Sequence, residues 1–177
     1  MGDTPDAMAA YTELDRVAVN EGFVLVYPSA RRAMWSTVGV RQDNLAQNAD
    51  VQFFDEILER VCSTYDVDRD RVYGVGMSNG ATFVQILAHA MPSTLAAIVA
   101  HSGMRPLDIE TPASLTPLLL IVGSDDTAPR RIKEDFDHYR SNGHNARLIV
   151  VDGLEHRWST CHNATMWNFL AKHDVRE

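Results

Sequence analysis

Apolar positions in this chain follow two rhythms that alternate from one end to the other. Short continuous apolar runs predict strands buried on both faces: Phe23-Val24-Leu25-Val26-Tyr27, Val72-Tyr73-Gly74-Val75, Leu95-Ala96-Ala97-Ile98-Val99-Ala100, Leu118-Leu119-Leu120-Ile121-Val122 and Leu148-Ile149-Val150-Val151. Between them, apolar residues recur every three or four positions, the spacing of an amphipathic helix. Met8, Tyr11, Leu14 and Val17 or Ala18 mark a first helix, opened by Thr4 as N-cap with Pro5 behind it and stopped by Gly22. Phe54, Ile57, Leu58 and Val61 mark a second, with Asp50 as its cap. A third runs from Asn79 to about Ala90 and stops before Pro92. Ile132, Phe136 and Tyr139 stripe a charged helix over residues 130–141, closed by Gly143. Met166, Trp167 and Leu170 belong to a last helix that starts near Thr160 or Cys161. Residues 29–49 have no strong period and predict a long surface loop.

Strand and helix alternating in this way mean a parallel sheet covered by helices on both faces. The expected fold is α/β: a three-layer α/β/α sandwich with a mostly parallel sheet, in one domain over residues 1–177. Ligands in such sheets bind beyond the carboxyl ends of the strands, and those ends carry chemistry here. Gly76-Met77-Ser78-Asn79-Gly80 fits G-x-S-x-G between an apolar strand and a helix. A turn that tight exposes the Ser78 hydroxyl, and the helix behind it aims the Asn79 N–H at the same spot, which suits an oxyanion. Asp125 and Asp126 follow the fourth run, and His156 follows the fifth. A serine hydroxyl is a weak nucleophile until a base takes its proton and a carboxylate orients that base. Ser78, Asp126 and His156 supply the three in order, with Asp125 an alternative to Asp126. His101 and Ser102 end the third run; they are candidates for substrate contact or for a packed or solvated role, and Trp158 for a pocket wall or for core. His89, His138, His144, His162 and His173 read as water-facing residues.

Composition narrows the partners. The net charge of −8 over 177 residues argues against a nucleic-acid surface. No apolar run approaches the roughly 18 residues that span a bilayer. Cys62 and Cys161 are too few and too far apart for a metal site; they read as two partly buried free thiols, with one long-range disulfide left open. Asp66, Asp68 and Asp70 read as a solvated turn. Nothing in the sequence calls for a metal or cofactor.

Several pieces together resemble one family. Tyr65-Asp66-Val67-Asp68-Arg69-Asp70-Arg71-Val72-Tyr73 runs into Gly76-Met77-Ser78-Asn79-Gly80. With it stand Glu21-Gly22-Phe23-Val24-Leu25-Val26-Tyr27-Pro28, Asp50-Val51-Gln52-Phe53, Gly123-Ser124-Asp125-Asp126 and Gly153-Leu154-Glu155-His156-Arg157-Trp158. From about Ala9 onward the chain resembles the polyhydroxybutyrate depolymerase and feruloyl or acetylxylan esterase group of α/β-hydrolases. The resemblance implies Ser78 as nucleophile, Asp126 as acid and His156 as base. It implies cleavage of small-molecule or polymeric esters through an acyl-serine, no cofactor, and export from the cell.

The chain departs from that family in two places. Ala81 stands where a second glycine is usual. In front, family members carry further strands, the last ending in a His-Gly-rich turn that supplies a second oxyanion N–H; Gly2 would be its remnant. The expected fold is therefore an α/β-hydrolase lacking its first strands. The missing strand would lie between the Phe23 run and the elbow strand. These two are expected to pair directly, or else the exposed sheet edge recruits another copy of the chain. Four readings share these residues: an active serine esterase, one impaired by the missing turn, an inactive relic that binds through that edge, and a serine peptidase of the same fold. Met77-Ser78-Asn79 and Asp50-Val51 favour the esterase.

Overall fold

Thr4 accepts the Ala7 N–H at 3.2 Å and opens helix α1, Pro5–Thr12, with Pro5 at its first position. The computed structural model describes residues 4–109 and 115–176, so Gly2 lies outside the described residues. The single first helix expected from the apolar spacing is two: α1 ends at Glu13, in the left-handed region at φ 54°, and α2 spans Leu14–Glu21. The break has a chemical cause. The Thr12 carbonyl is taken by the Asn163 amide at 2.7 Å instead of by the next helical turn. Gly22 closes α2 at φ 75°, as predicted.

Residues 29–48 form the expected loop, with one 3-10 turn at Gln42–Gln47. Helix α3, Ala49–Thr64, is capped by Asn48 and not by Asp50. The Asn48 side chain accepts the Asp50 N–H at 2.9 Å. The Asp50 carboxylate instead turns back to accept the Ser36 N–H at 2.7 Å, and so ties the loop to the helix. Strand β1, Val72–Met77, leads into α4, Asn79–Ala90. Then come β2, Leu95–His101; β3, Leu118–Gly123; α5, Pro129–Ser141; β4, Ala146–Val151; and α6, Asn163–Leu170.

The four strands are parallel, in the order β1-β2-β3-β4. Alternate side chains feed two cores, as the period of two in a strand requires. Ile98, Ala100, Leu118, Leu120 and Val122 pack with Phe83, Ile86, Leu87, Ile132 and Tyr139 on the face covered by α4 and α5. Ala97, Val99, Leu119 and Ile121 meet Met166, Phe169, Leu170 and Trp158 on the face covered by α6. The fold is the α/β-hydrolase core without initial strands.

The first predicted strand does not form. Phe23 to Tyr27 run extended, alternately half-buried and exposed, with Val24 and Val26 at 45% and 43% exposure. Phe23 stacks on Trp167 at 4.3 Å, and the Tyr27 hydroxyl meets the Thr12 hydroxyl at 3.0 Å. The expected pairing of this run with the elbow strand is absent: β1 pairs with β2, and among the described residues its other edge has no strand partner. The apolar run was legible, but a strand needs a ladder partner, and Trp167 holds Phe23 by its ring face. Among the described residues no helix is long and apolar enough to cross a membrane.

Candidate active site

The site is built on the turn between β1 and α4. Ser78 sits at φ 55°, ψ −118°, a strained conformation for a residue with a side chain. Its N–H donates to the His101 carbonyl at 2.9 Å, which fastens the turn to the end of β2. Gly76 is required there, because a side-chain carbon on it would overlap the Gly80 backbone. Asn79 opens α4, so its N–H is among the helix donors without an intrahelical acceptor. Its side chain grips the long loop: Oδ1 accepts the Trp35 N–H at 2.7 Å, while Nδ2 donates to the Trp35 carbonyl at 3.1 Å and Thr37 Oγ1 at 3.0 Å.

The β3 and β4 ends bring the other two groups to Ser78. His156 Nε2 lies 3.0 Å from Ser78 Oγ, and His156 Nδ1 lies 2.9 Å from Asp126 Oδ1. Asp126 is buried, whereas Asp125 is exposed and accepts the Ser124 hydroxyl at 2.9 Å. The Asp126 Oδ1 also accepts the Thr127 N–H at 2.5 Å and its hydroxyl at 3.1 Å. Burial alone would raise the Asp126 pKa. Ser102, His156 and Thr127 outweigh it and hold the carboxyl below its ordinary range. An ionised carboxylate can only accept, so His156 Nδ1 carries a proton toward it. The lone pair of Nε2 is then free for the Ser78 hydroxyl. Such an arrangement can take a proton from serine and return it to a leaving group.

Of the two readings open for His101 and Trp158, substrate contact or packing, the structure has packing. His101 has no exposed surface and Trp158 is 5% exposed; their rings stack at 5.1 Å. A side chain without accessible surface offers a substrate nothing, so both serve as support beneath the site. The Trp158 indole N–H donates to Asn163 Oδ1 at 2.9 Å, and its backbone N–H donates to the Tyr11 hydroxyl at 2.7 Å. His144, expected at the surface, is 5% exposed against Tyr139, and burial pushes His89 down to about 4. Cys62 and Cys161 are free, with Cys161 exposed. No group of three or more metal-ligating side chains occurs among the described residues.

Sequence reasoning missed the Asn79 amide and Thr127 as parts of the site. Their signals were faint: an asparagine next to a serine, and a threonine beside a strand end.

Comparison with known proteins fits this geometry. The family described as Esterase PHB depolymerase matches residues 2–128. The chain belongs to this family. Among curated relatives, Feruloyl esterase B of Talaromyces funiculosus is 36% identical over 85 residues, covering 47% of this chain and 24% of that protein. The bifunctional acetylxylan esterase/xylanase XynS20E of Neocallimastix patriciarum is 26% identical over 128 residues, 71% of this chain and 18% of that protein. The chain therefore spans no more than about a quarter of either relative's length. Two solved structures share the fold. The acetyl xylan esterase from Aspergillus awamori superposes with TM-score 0.79 at 15% identity, over 95% of this chain and 84% of that one. Esterase PE8 gives TM-score 0.67 at 21% identity, over 96% and 86%.

Proposed function

We propose that this chain is a serine carboxylester hydrolase. The observation that carries the reading is His156 bridging Ser78 and Asp126 at 3.0 and 2.9 Å across three strand ends. Ser78 Oγ attacks the ester carbonyl carbon while His156 Nε2 takes its proton. The Asn79 N–H stabilises the oxyanion. As the intermediate collapses, the carbon–alkoxy bond breaks, His156 returns the proton to the departing alcohol, and an acyl-serine remains. Water, deprotonated by His156, attacks the acyl carbon and releases the acid and free Ser78. Asp126 stays ionised throughout and supports the imidazolium.

The relatives' names point to acyl groups on plant-wall sugars, or to a polyester, as the substrate. A short-chain chromogenic ester is the direct assay. Turnover by the parent chain and its loss in Ser78→Ala are expected; equal turnover by the two would end the nucleophile assignment. A rate two to three orders of magnitude below that of related esterases is expected if Asn79 acts as the sole oxyanion donor.

A further inference from the structure

We propose that His101 and Ser102 form a positioning relay for Asp126: a tautomer-locked histidine turns the Ser102 hydroxyl into a donor aimed at the triad carboxylate. The inference rests on the proposed triad and extends it by two residues.

The polarity of the relay follows from groups that have only one role. His101 is fully buried, and its Nε2 lies 3.2 Å from the Ser159 backbone nitrogen. A backbone N–H can only donate, so Nε2 must present its lone pair. Burial and the nearby His162 and His156 keep the ring neutral, pushing its pKa down to about 4 despite the attraction of Asp126. A neutral imidazole has one donor and one acceptor nitrogen, so the proton is on Nδ1. Nδ1 lies 2.9 Å from Ser102 Oγ, which therefore accepts. The Ser102 hydroxyl hydrogen still needs an acceptor in a site that is 6% exposed.

The acceptor is at hand. Asp126 Oδ2 is buried and has no hydrogen-bond partner among the described residues, while Oδ1 takes three bonds. Ser102 is among the groups that lower the Asp126 pKa, although its approach falls short of full hydrogen-bond geometry. Backbone conformation points the same way. Ser102 is held at φ 57° with its N–H donating to the Ile121 carbonyl at 2.8 Å. A serine in the left-handed region is unusual, and glycine would fill the position with less strain. The hydroxyl is what the strain retains.

Two readouts test this. In the full chain labelled with nitrogen-15 at histidine, His101 is expected neutral at pH 7 with its proton on Nδ1. A proton on Nε2, or a charged ring, would overturn the relay. Ser102→Gly removes the hydroxyl while suiting the backbone, so a merely structural serine would leave the triad untouched. The expected result is a shifted His156 Nδ1 proton resonance, with kcat about tenfold lower and KM within about twofold. An unchanged resonance would overturn the relay whether or not the chain turns over esters. An inactive parent with both nuclear signatures present would sink the esterase reading and leave the relay standing.

Discussion

The Asn79 side chain holds Trp35 by both of its backbone groups, accepting the N–H at 2.7 Å and donating to the carbonyl at 3.1 Å. The residue next to Ser78 thus sets the position of a loop more than forty residues away in sequence. Trp35 then stacks on Phe83 of α4 at 4.6 Å, so the loop is clamped to the helix that opens at Asn79. Asn79→Ala is expected to destabilise the fold by about 1–3 kcal/mol, because two backbone groups lose their partners together. Urea unfolding measures this, and intrinsic fluorescence reports the release of Trp35. A change below about 0.5 kcal/mol would show that the clamp contributes nothing.

Asp126→Asn tests the orienting role of the carboxylate. An amide at this position can donate to Nδ1 and leave Nε2 carrying the proton, the wrong tautomer for taking one from Ser78. Ester turnover is expected to fall by about four orders of magnitude with the fold intact. Asp125→Asn, at the exposed neighbour, is expected to stay within about twofold in kcat. The reverse ranking would move the acid to Asp125.

Much of this site was legible in the sequence because each member follows an apolar run that forms a strand. Ser78, Asp126 and His156 were readable as strand-end groups before any geometry. The Phe23 run was legible as an extended segment, but its pairing was not. Period and propensity report burial on a local surface, whereas a ladder depends on what lies alongside. Asp50 shows another limit. A carboxylate at a helix start reads as a cap, but Asn48, two residues earlier, caps the helix and frees Asp50 for Ser36. What covers His101 was hidden for a different reason: a histidine at a strand end reads as packed, solvated or touching a ligand alike until Trp158, from another loop, is seen to cover it.

Stability is expected to fall in mild acid. His101 and His89 are both pushed down to about 4 by burial, while unfolded histidine titrates near 6.5. The unfolded chain binds more protons between those values, so stability rises with pH across the window. The contribution is fully present above about pH 6.5 and is lost as pH falls toward about 4. Each histidine accounts for about 3 kcal/mol. Asp126 acts in the same direction at lower pH, since its depressed pKa stabilises the fold above the ordinary carboxylate value and ceases to as pH falls through the folded value. Thermal unfolding from pH 7 to pH 4 measures the sum; a flat Tm would show that these rings are not buried neutral.

Asp135 is the buried anchor of α5. It is 1% exposed, accepts the Arg105 N–H at 2.9 Å, and meets the Arg131 guanidinium at 3.3 Å. Asp135→Ala leaves these cationic and backbone partners without their acceptor, and is expected to cost about 3–5 kcal/mol in urea unfolding. A cost below about 1 kcal/mol would mean that water replaces the carboxylate freely.

The central claim is that Ser78 is a nucleophile activated by His156. Fluorophosphonate labelling followed by intact-mass and peptide analysis tests it most directly, because the reagent reports the serine without needing the natural substrate. One adduct at Ser78 is predicted, absent from Ser78→Ala and slowed by at least about a hundredfold in His156→Ala. No adduct on the folded parent chain, or an adduct that persists in Ser78→Ala, would contradict it.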